Sequence, residues 1–202
     1  MSDLTKLNDE INQCQKCGLA KLRLKAVPGD GPENASLLFI GEAPGWHENQ
    51  QGKPFVGPAG HLLDELLESI KLKRADVFIA NVIKCRPPDN RDPSLDEIAA
   101  CAGYLDRQIA ILNPAVIITL GRYSMARFFG NESISRIHGQ ARKVGDRIVF
   151  PMYHPAAALH QPSLRQHLIA DMQKLPAILA EMDKVADTKS EPDPQPQQLS
   201  LF

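Results

Sequence analysis

The chain lacks any apolar run approaching the roughly 20 residues that a membrane-spanning helix needs. Its first residues, Met1-Ser-Asp-Leu-Thr-Lys6, lack the apolar centre of a secretory signal. A cytoplasmic location, with no membrane partner, is the expectation. No stretch repeats another, so stacked-repeat architectures are excluded. Excess charge is missing too: the formal net charge is −1, which by itself points to no polyanionic partner. Cysteine is scarce, with four in 202 residues. In a cytoplasmic chain, four cysteines that include a C-x-x-C speak for a metal or redox site before a disulfide framework.

The near-neutral charge hides an asymmetry. Residues 181–202 carry five acids and two bases, a net of −3, and the total of −1 then leaves +2 on residues 1–180. A mildly basic body permits phosphate contacts without demanding them. The length suits one domain with a real core.

Patterning sets the order of elements. Ser36–Gly41 reads as a buried strand, followed by a Gly- and Pro-rich loop to about residue 58. Leu62, Leu63, Leu66, Leu67 and Ile70 recur at helical spacing, which predicts an amphipathic helix over 59–72. Val77–Ile83 is a second strand, stopped by Pro87 and Pro88. Ser94-Leu-Asp-Glu97 is a capping box that opens a helix to about Leu112, and Asn113-Pro114 ends it. Val116–Leu120 is a third strand, 122–129 a short helix and Arg147–Met152 a fourth strand. A last helix is expected from about Ser163 to Met182, kinked at Pro176. Residues 184–202 are polar and Pro/Gln-rich and read as a disordered tail, which leaves 1–183 as the domain. Alternating strands and helices argue for a parallel sheet covered on both faces. Ligands bind such sheets at the carboxyl ends of the strands, where the loops after Ile40, Ile83 and Met152 lie.

Three constellations carry chemistry. The first is Cys14-x2-Cys17 with Cys85-x15-Cys101. Thiolates ligate zinc or an iron–sulfur cluster, and ligand chemistry alone does not choose between them. The second is the loop over residues 41–60, with five glycines in its body and Phe55 as an aromatic face on which a planar ligand can stack. Glu42 stands at its start. The third is Asn81, in an otherwise apolar strand, with His154-Pro155 after the fourth strand. A carboxamide offers donor and acceptor to a nucleobase edge. A histidine at the strand ends can donate to a developing anion.

Together these pieces resemble the family 4 uracil-DNA glycosylases. The resemblance rests on Gly41-Glu-Ala-Pro-Gly45, Gly52-Lys-Pro-Phe-Val-Gly-Pro-Ala-Gly60, Asn81, His154-Pro-Ala-Ala157 and the four cysteines, and it spans about residues 10–180. It implies a three-layer α/β/α sandwich around a four-stranded parallel sheet. It implies a [4Fe–4S] cluster on Cys14, Cys17, Cys85 and Cys101. The implied activity is that of a monomeric, monofunctional hydrolase of base excision repair, associated with the nucleoid. It flips uracil out of single- or double-stranded DNA and cuts the N-glycosidic bond, leaving an abasic site. By the same resemblance Phe55 stacks on the flipped base, Asn81 reads its N3/O4 edge, Glu48 crowds C5 against thymine's methyl, and His154 hydrogen-bonds O2. Glu42 and Ala43 line the pocket beside the attacking water, and Ala158 or Leu159 is the wedge that fills the vacated stack.

Two features depart from the best-known patterns. Ala43 stands where other uracil glycosylases carry an Asp, so water activation falls to Glu42 or to the electrostatics of the substrate. Arg136-Ile-His138-Gly139 resembles a stretch through which a related group traps its product covalently on a histidine. Arg136 and His138 are thus candidate DNA contacts, and trapping through His138 is the alternative to turnover. A non-catalytic DNA-binding scaffold is a further alternative, which the joint presence of Phe55, Asn81 and His154 opposes. Finally, Gln198-Leu-Ser-Leu-Phe202 resembles the peptide by which bacterial repair proteins dock on the sliding clamp. In that reading Gln198, Leu199, Leu201 and Phe202 form the contact on a flexible leash.

Overall fold

The computed structural model describes residues 1–189, with side chains described as far as Met182. Helix α1 (Asp3–Gln13) opens the chain, capped by the Ser2 hydroxyl, which accepts from the Thr5 amide. Then follow β1 (Leu37–Gly41), α2 (Trp46–Gln51), α3 (Pro58–Ser69), β2 (Phe78–Asn81), α4 (Leu95–Leu112) and β3 (Val116–Leu120). The chain continues through α5 (Arg122–Phe129), α6 (Ile134–Ile137), β4 (Arg142–Val144), β5 (Arg147–Met152), α7 (Pro155–His160), α8 (Ser163–Met172) and α9 (Leu175–Lys189). The Ser94 capping box is present, with the Glu97 amide donating to the hydroxyl and the Ser94 amide to the Glu97 carboxylate.

The strands run in the order β2-β1-β3-β5-β4. The first four are parallel, as expected, and β4 adds a fifth, antiparallel strand on the β5 edge. The expectation of four strands is corrected by this edge. Its sequence, Arg142-Lys-Val144, has no apolar pattern, and its side chains are half-buried or exposed. Short charged strands suit an edge because they discourage further pairing.

Both faces of the sheet are covered, and the alternation along each strand shows it. Leu37, Phe39, Ile79, Val116, Ile118, Phe150 and Met152 pack with α3, α8 and Leu175 on one side. Leu38, Ile40, Phe78, Ala80, Ile117 and Val149 pack with α4 and Leu4 of α1 on the other. The fold is therefore a three-layer α/β/α sandwich. Burying a Leu or Phe in such a layer contributes about 1.5–3 kcal/mol.

Three local readings are revised. The 41–58 loop contains α2, whose sequence Trp-His-Glu-Asn-Gln-Gln has no apolar stripe to announce it. The last helix does not kink at Pro176 but breaks before it. Helix α8 ends at Met172 and Pro176 is the second residue of α9, where its missing N–H is not needed. Helix α9 also extends beyond Lys184 to Lys189, into the segment read as tail. The clamp-like peptide at 198–202 lies outside the described residues. Among the described residues no helix is long and apolar enough to cross a membrane.

Candidate active site

A pocket of about 440 Å³ opens at the carboxyl ends of β1, β2 and β5. Glu42, Ala43, Gly45, Glu48, Phe55, Asn81 and His154 all line it, together with Asn90, Arg91, Ala156 and His160. Distant stretches of sequence thus meet because Gly41 and Asn81 end neighbouring strands in register, and His154 follows the end of β5.

The floor is Asn81. It closes β2 in the middle of the apolar run, ahead of buried Val82 and Ile83, and is 1% exposed. Its side-chain oxygen is enclosed with no hydrogen-bond partner. Leaving such an atom unpaired costs about 1–3 kcal/mol; it lies against Gly41, at the edge of the pocket that Asn81 lines.

One wall is Phe55, held in the left-handed region at φ 53. Arg74 pins it there: Nη1 donates to the Pro54 carbonyl at 2.8 Å, Nη2 to the Phe55 carbonyl, and Nε to Asp64 at 3.0 Å. Two glycines make room. A Cβ on Gly60 would lie 1.8 Å from the Phe55 carbonyl oxygen, and one on Gly41 would lie 2.3 Å from Asn81 Oδ1 and 2.6 Å from the Phe55 ring. Only hydrogen fits at either position.

Beside Phe55 stands His154, which also lines the pocket. Its ring lies nearly parallel to that of Phe55, centroids 5.5 Å apart. His154 is the N-cap of α7: its Nδ1 accepts from the Ala156 amide at 3.1 Å. An accepting Nδ1 leaves Nε2 as the nitrogen that carries the proton. Burial pulls the pKa of His154 down to about 4, against a smaller opposing effect of Glu48. At neutral pH it is therefore an uncharged donor.

The two carboxylates of the pocket have different surroundings. Glu48 is buried and fully engaged: Oε1 accepts from the Val56 and Gly57 amides at 2.8 and 2.9 Å, and Oε2 from the Gly45 amide at 3.1 Å. Glu42 is half-buried, and desolvation, helped by Asp92 and opposed by Arg122, raises its pKa to about 6. It is ionised at pH 7 yet basic enough to accept a proton.

The remaining candidates divide. Leu159 is 46% exposed on α7, whereas Ala158 is 7% exposed and packs in the core. Ala158 is thereby removed as a wedge, because α7 forms where a loop was expected and turns alternate faces inward. Arg136 and His138 do not line the pocket. His138 Nδ1 lies 2.6 Å from the buried Asp171 carboxylate, which also receives Lys174 at 3.0 Å, and its ring packs on Tyr153. Sequence reasoning missed Arg74, Asn90, Arg91 and His160. Asn90 and Arg91 lie in the loop after Ile83, which the sequence places at the strand ends, but neither residue type stands out in a polar loop. Arg74 gives no local signal, since its partners lie 10 to 20 residues away.

The four cysteines line a second, smaller pocket with Arg23, Lys84 and Tyr104. None of the four is in a disulfide. Donors approach the sulfurs: Arg23 Nη1 reaches Cys85 Sγ at 3.2 Å and the Lys16 amide reaches Cys14 Sγ at 3.4 Å. Among the described residues no three His, Cys, Asp or Glu side chains converge on a position for one metal ion.

Comparison with known proteins agrees with this geometry. The family model described as the uracil DNA glycosylase superfamily matches residues 28–175. A type-4 uracil-DNA glycosylase of Saccharolobus solfataricus is 50% identical over 190 residues, covering 89% of this chain and 88% of that protein. Those of Sulfurisphaera tokodaii and Archaeoglobus fulgidus are 48% and 45% identical over 185 residues, covering 87% of this chain and 84% and 92% of theirs. With the fold, the pocket and this similarity in agreement, the chain belongs to the type-4 uracil-DNA glycosylases of the uracil DNA glycosylase superfamily.

Proposed function

We propose that the protein excises uracil from DNA by hydrolysis in base excision repair, with the roles below. The observation that carries the reading is the enclosed, partnerless Asn81 oxygen at the floor of the pocket. Uracil presents an N3–H donor beside the O4 acceptor, which a carboxamide matches. Cytosine presents a bare N3 and would leave that oxygen unpaired. The penalty for such a buried mismatch makes this kind of discrimination large.

The other groups then have defined work. Extruding a base from the duplex costs a few kcal/mol, and stacking on Phe55 returns about 1–3 kcal/mol. Glu48, clasped by three amides, cannot yield space to a methyl group at C5. Water attacks C1′ while the glycosidic electron pair passes to the departing uracil. Glu42 takes the water's proton, which fills the role left open by Ala43. His154 Nε2–H donates to O2, where the anion's charge collects. A neutral donor suits this step because it stabilises the anion without protonating it first. Leu159 fills the gap in the stack.

The family resemblance, and not ligand chemistry, assigns a [4Fe–4S] cluster instead of zinc to Cys14, Cys17, Cys85 and Cys101, and it is supported by all four lining one pocket. The amide and guanidinium donors aimed at them suit an anionic cluster. When bound, the cluster supplies a structural tie between the N-terminal segment, the end of β2 and α4. The protein works as a monomer in the cytoplasm on nucleoid DNA. The peptide Gln198–Phe202 docks it on a sliding clamp.

A uracil-containing oligonucleotide run on denaturing gels tests the reading. Strand breakage only after alkali is the expected result. Uncut strands would overturn it, and a heat-stable protein–DNA band would replace it with covalent trapping.

A further inference from the structure

Lys84 is one of the largest fully enclosed side chains in the molecule, 1% exposed. Its ammonium has two partners, both neutral: the Asn81 carbonyl at 2.8 Å and Gln108 Oε1 at 2.6 Å. Gln108 is itself buried and fixed, its amide donating to the Pro28 carbonyl at 2.7 Å. Among the described residues no carboxylate pairs with Lys84. A buried cation without counter-charge is costly, by several kcal/mol. The negative charge at hand is that of the cysteine sulfurs. Lys84 lines their pocket and precedes Cys85 in the chain.

The same residue therefore faces both sites. It lines the cysteine pocket beside Cys85, and its ammonium holds the main chain of the residue whose side chain floors the base pocket. We propose that Lys84 is a positioning residue that couples the two. Balanced by the cysteine-ligated group, its ammonium fixes the Asn81 backbone so that the carboxamide stays aimed at the base. This rests on reading Asn81 as the base-contacting group. Without the tie, Asn81 could turn its oxygen toward neighbouring backbone donors and escape its own desolvation, at the expense of ligand binding.

A double-mutant cycle on the full-length protein tests it, with free uracil as the probe in titration calorimetry. Lys84→Met keeps length and removes charge and donor. It is expected to weaken uracil about tenfold in the wild-type background and to have no further effect in Asn81→Ala. Its iron content should stay at the wild-type level, with the midpoint potential moved to a more negative value, since a cation near the cluster favours the reduced form. Equal losses in both backgrounds, or an unmoved potential, would overturn the coupling. If Asn81→Ala itself leaves uracil binding intact, the base-reading role fails instead. Should Lys84→Met not fold, Gln108→Leu frees the ammonium without removing its charge. A two- to threefold loss confined to the Asn81 background supports the proposal, and no loss overturns it.

Discussion

The two pockets of this molecule handle hydrogen bonds in opposite ways. The base pocket leaves two of its groups unspent: the Asn81 oxygen is unpaired and His154 Nε2 is free to donate. The cysteine pocket has donors already trained on its sulfurs, from Arg23 and Lys16. The first arrangement suits a neutral planar guest that brings its own donors and acceptors and must leave again. The second suits a resident that stays and carries negative charge. Stability is kept in one place and surrendered in the other.

Removing the free donor should have the largest effect. His154→Ala is expected to slow single-turnover excision by about 100- to 1,000-fold. An unchanged rate would mean that O2 is stabilised elsewhere. Next comes the carboxylate of Glu42. Because its pKa is raised to about 6, its basic form is lost as pH falls through that value, so kcat/KM should rise with pH and level off above about 7. His154, at about 4, remains neutral across that range and leaves the limb to Glu42. Glu42→Gln should abolish the limb. A carboxylate whose folded pKa lies above its unfolded value destabilises the fold at any pH where it is ionised. The same variant should therefore gain about 2–4 °C in Tm at pH 7 for each kcal/mol relieved. A profile with its limb near pH 4 would exclude Glu42 as the base. The smallest effect is expected at Arg74. Arg74→Leu releases the Pro54 and Phe55 carbonyls, and KM for a uracil oligonucleotide should rise about fivefold with kcat little changed. A larger fall in kcat than in affinity would show that Arg74 acts on the chemistry and not only on the stacking wall.

The fold was legible wherever signals were local. The capping box at Ser94, the leucine stripe of α3 and the apolar runs of β1 and β3 each declare themselves within a few residues. Helix α2 and strand β4 did not, because neither has an apolar face: one is a polar turn inside a glycine-rich loop and the other a charged edge. The site divides in the same way. Phe55, Asn81 and His154 stood out as residue types unusual for their segments. Arg74 and Lys84 look like ordinary surface bases in the sequence. Their importance comes from carbonyl groups that only the folded chain brings to them.

Glu48 has an implication for how this protein can change. Its carboxylate joins the amide at the start of the loop, on Gly45, to those at the end, on Val56 and Gly57. The chain between them is an excursion tied shut at its neck, and its outermost residues, Gln50, Gln51 and Lys53, are exposed. Lengthening a surface loop whose ends are already held together adds little closure entropy. The outer turn is therefore a place where insertions, labels or new DNA-contacting residues can accumulate while the walls beneath keep their spacing.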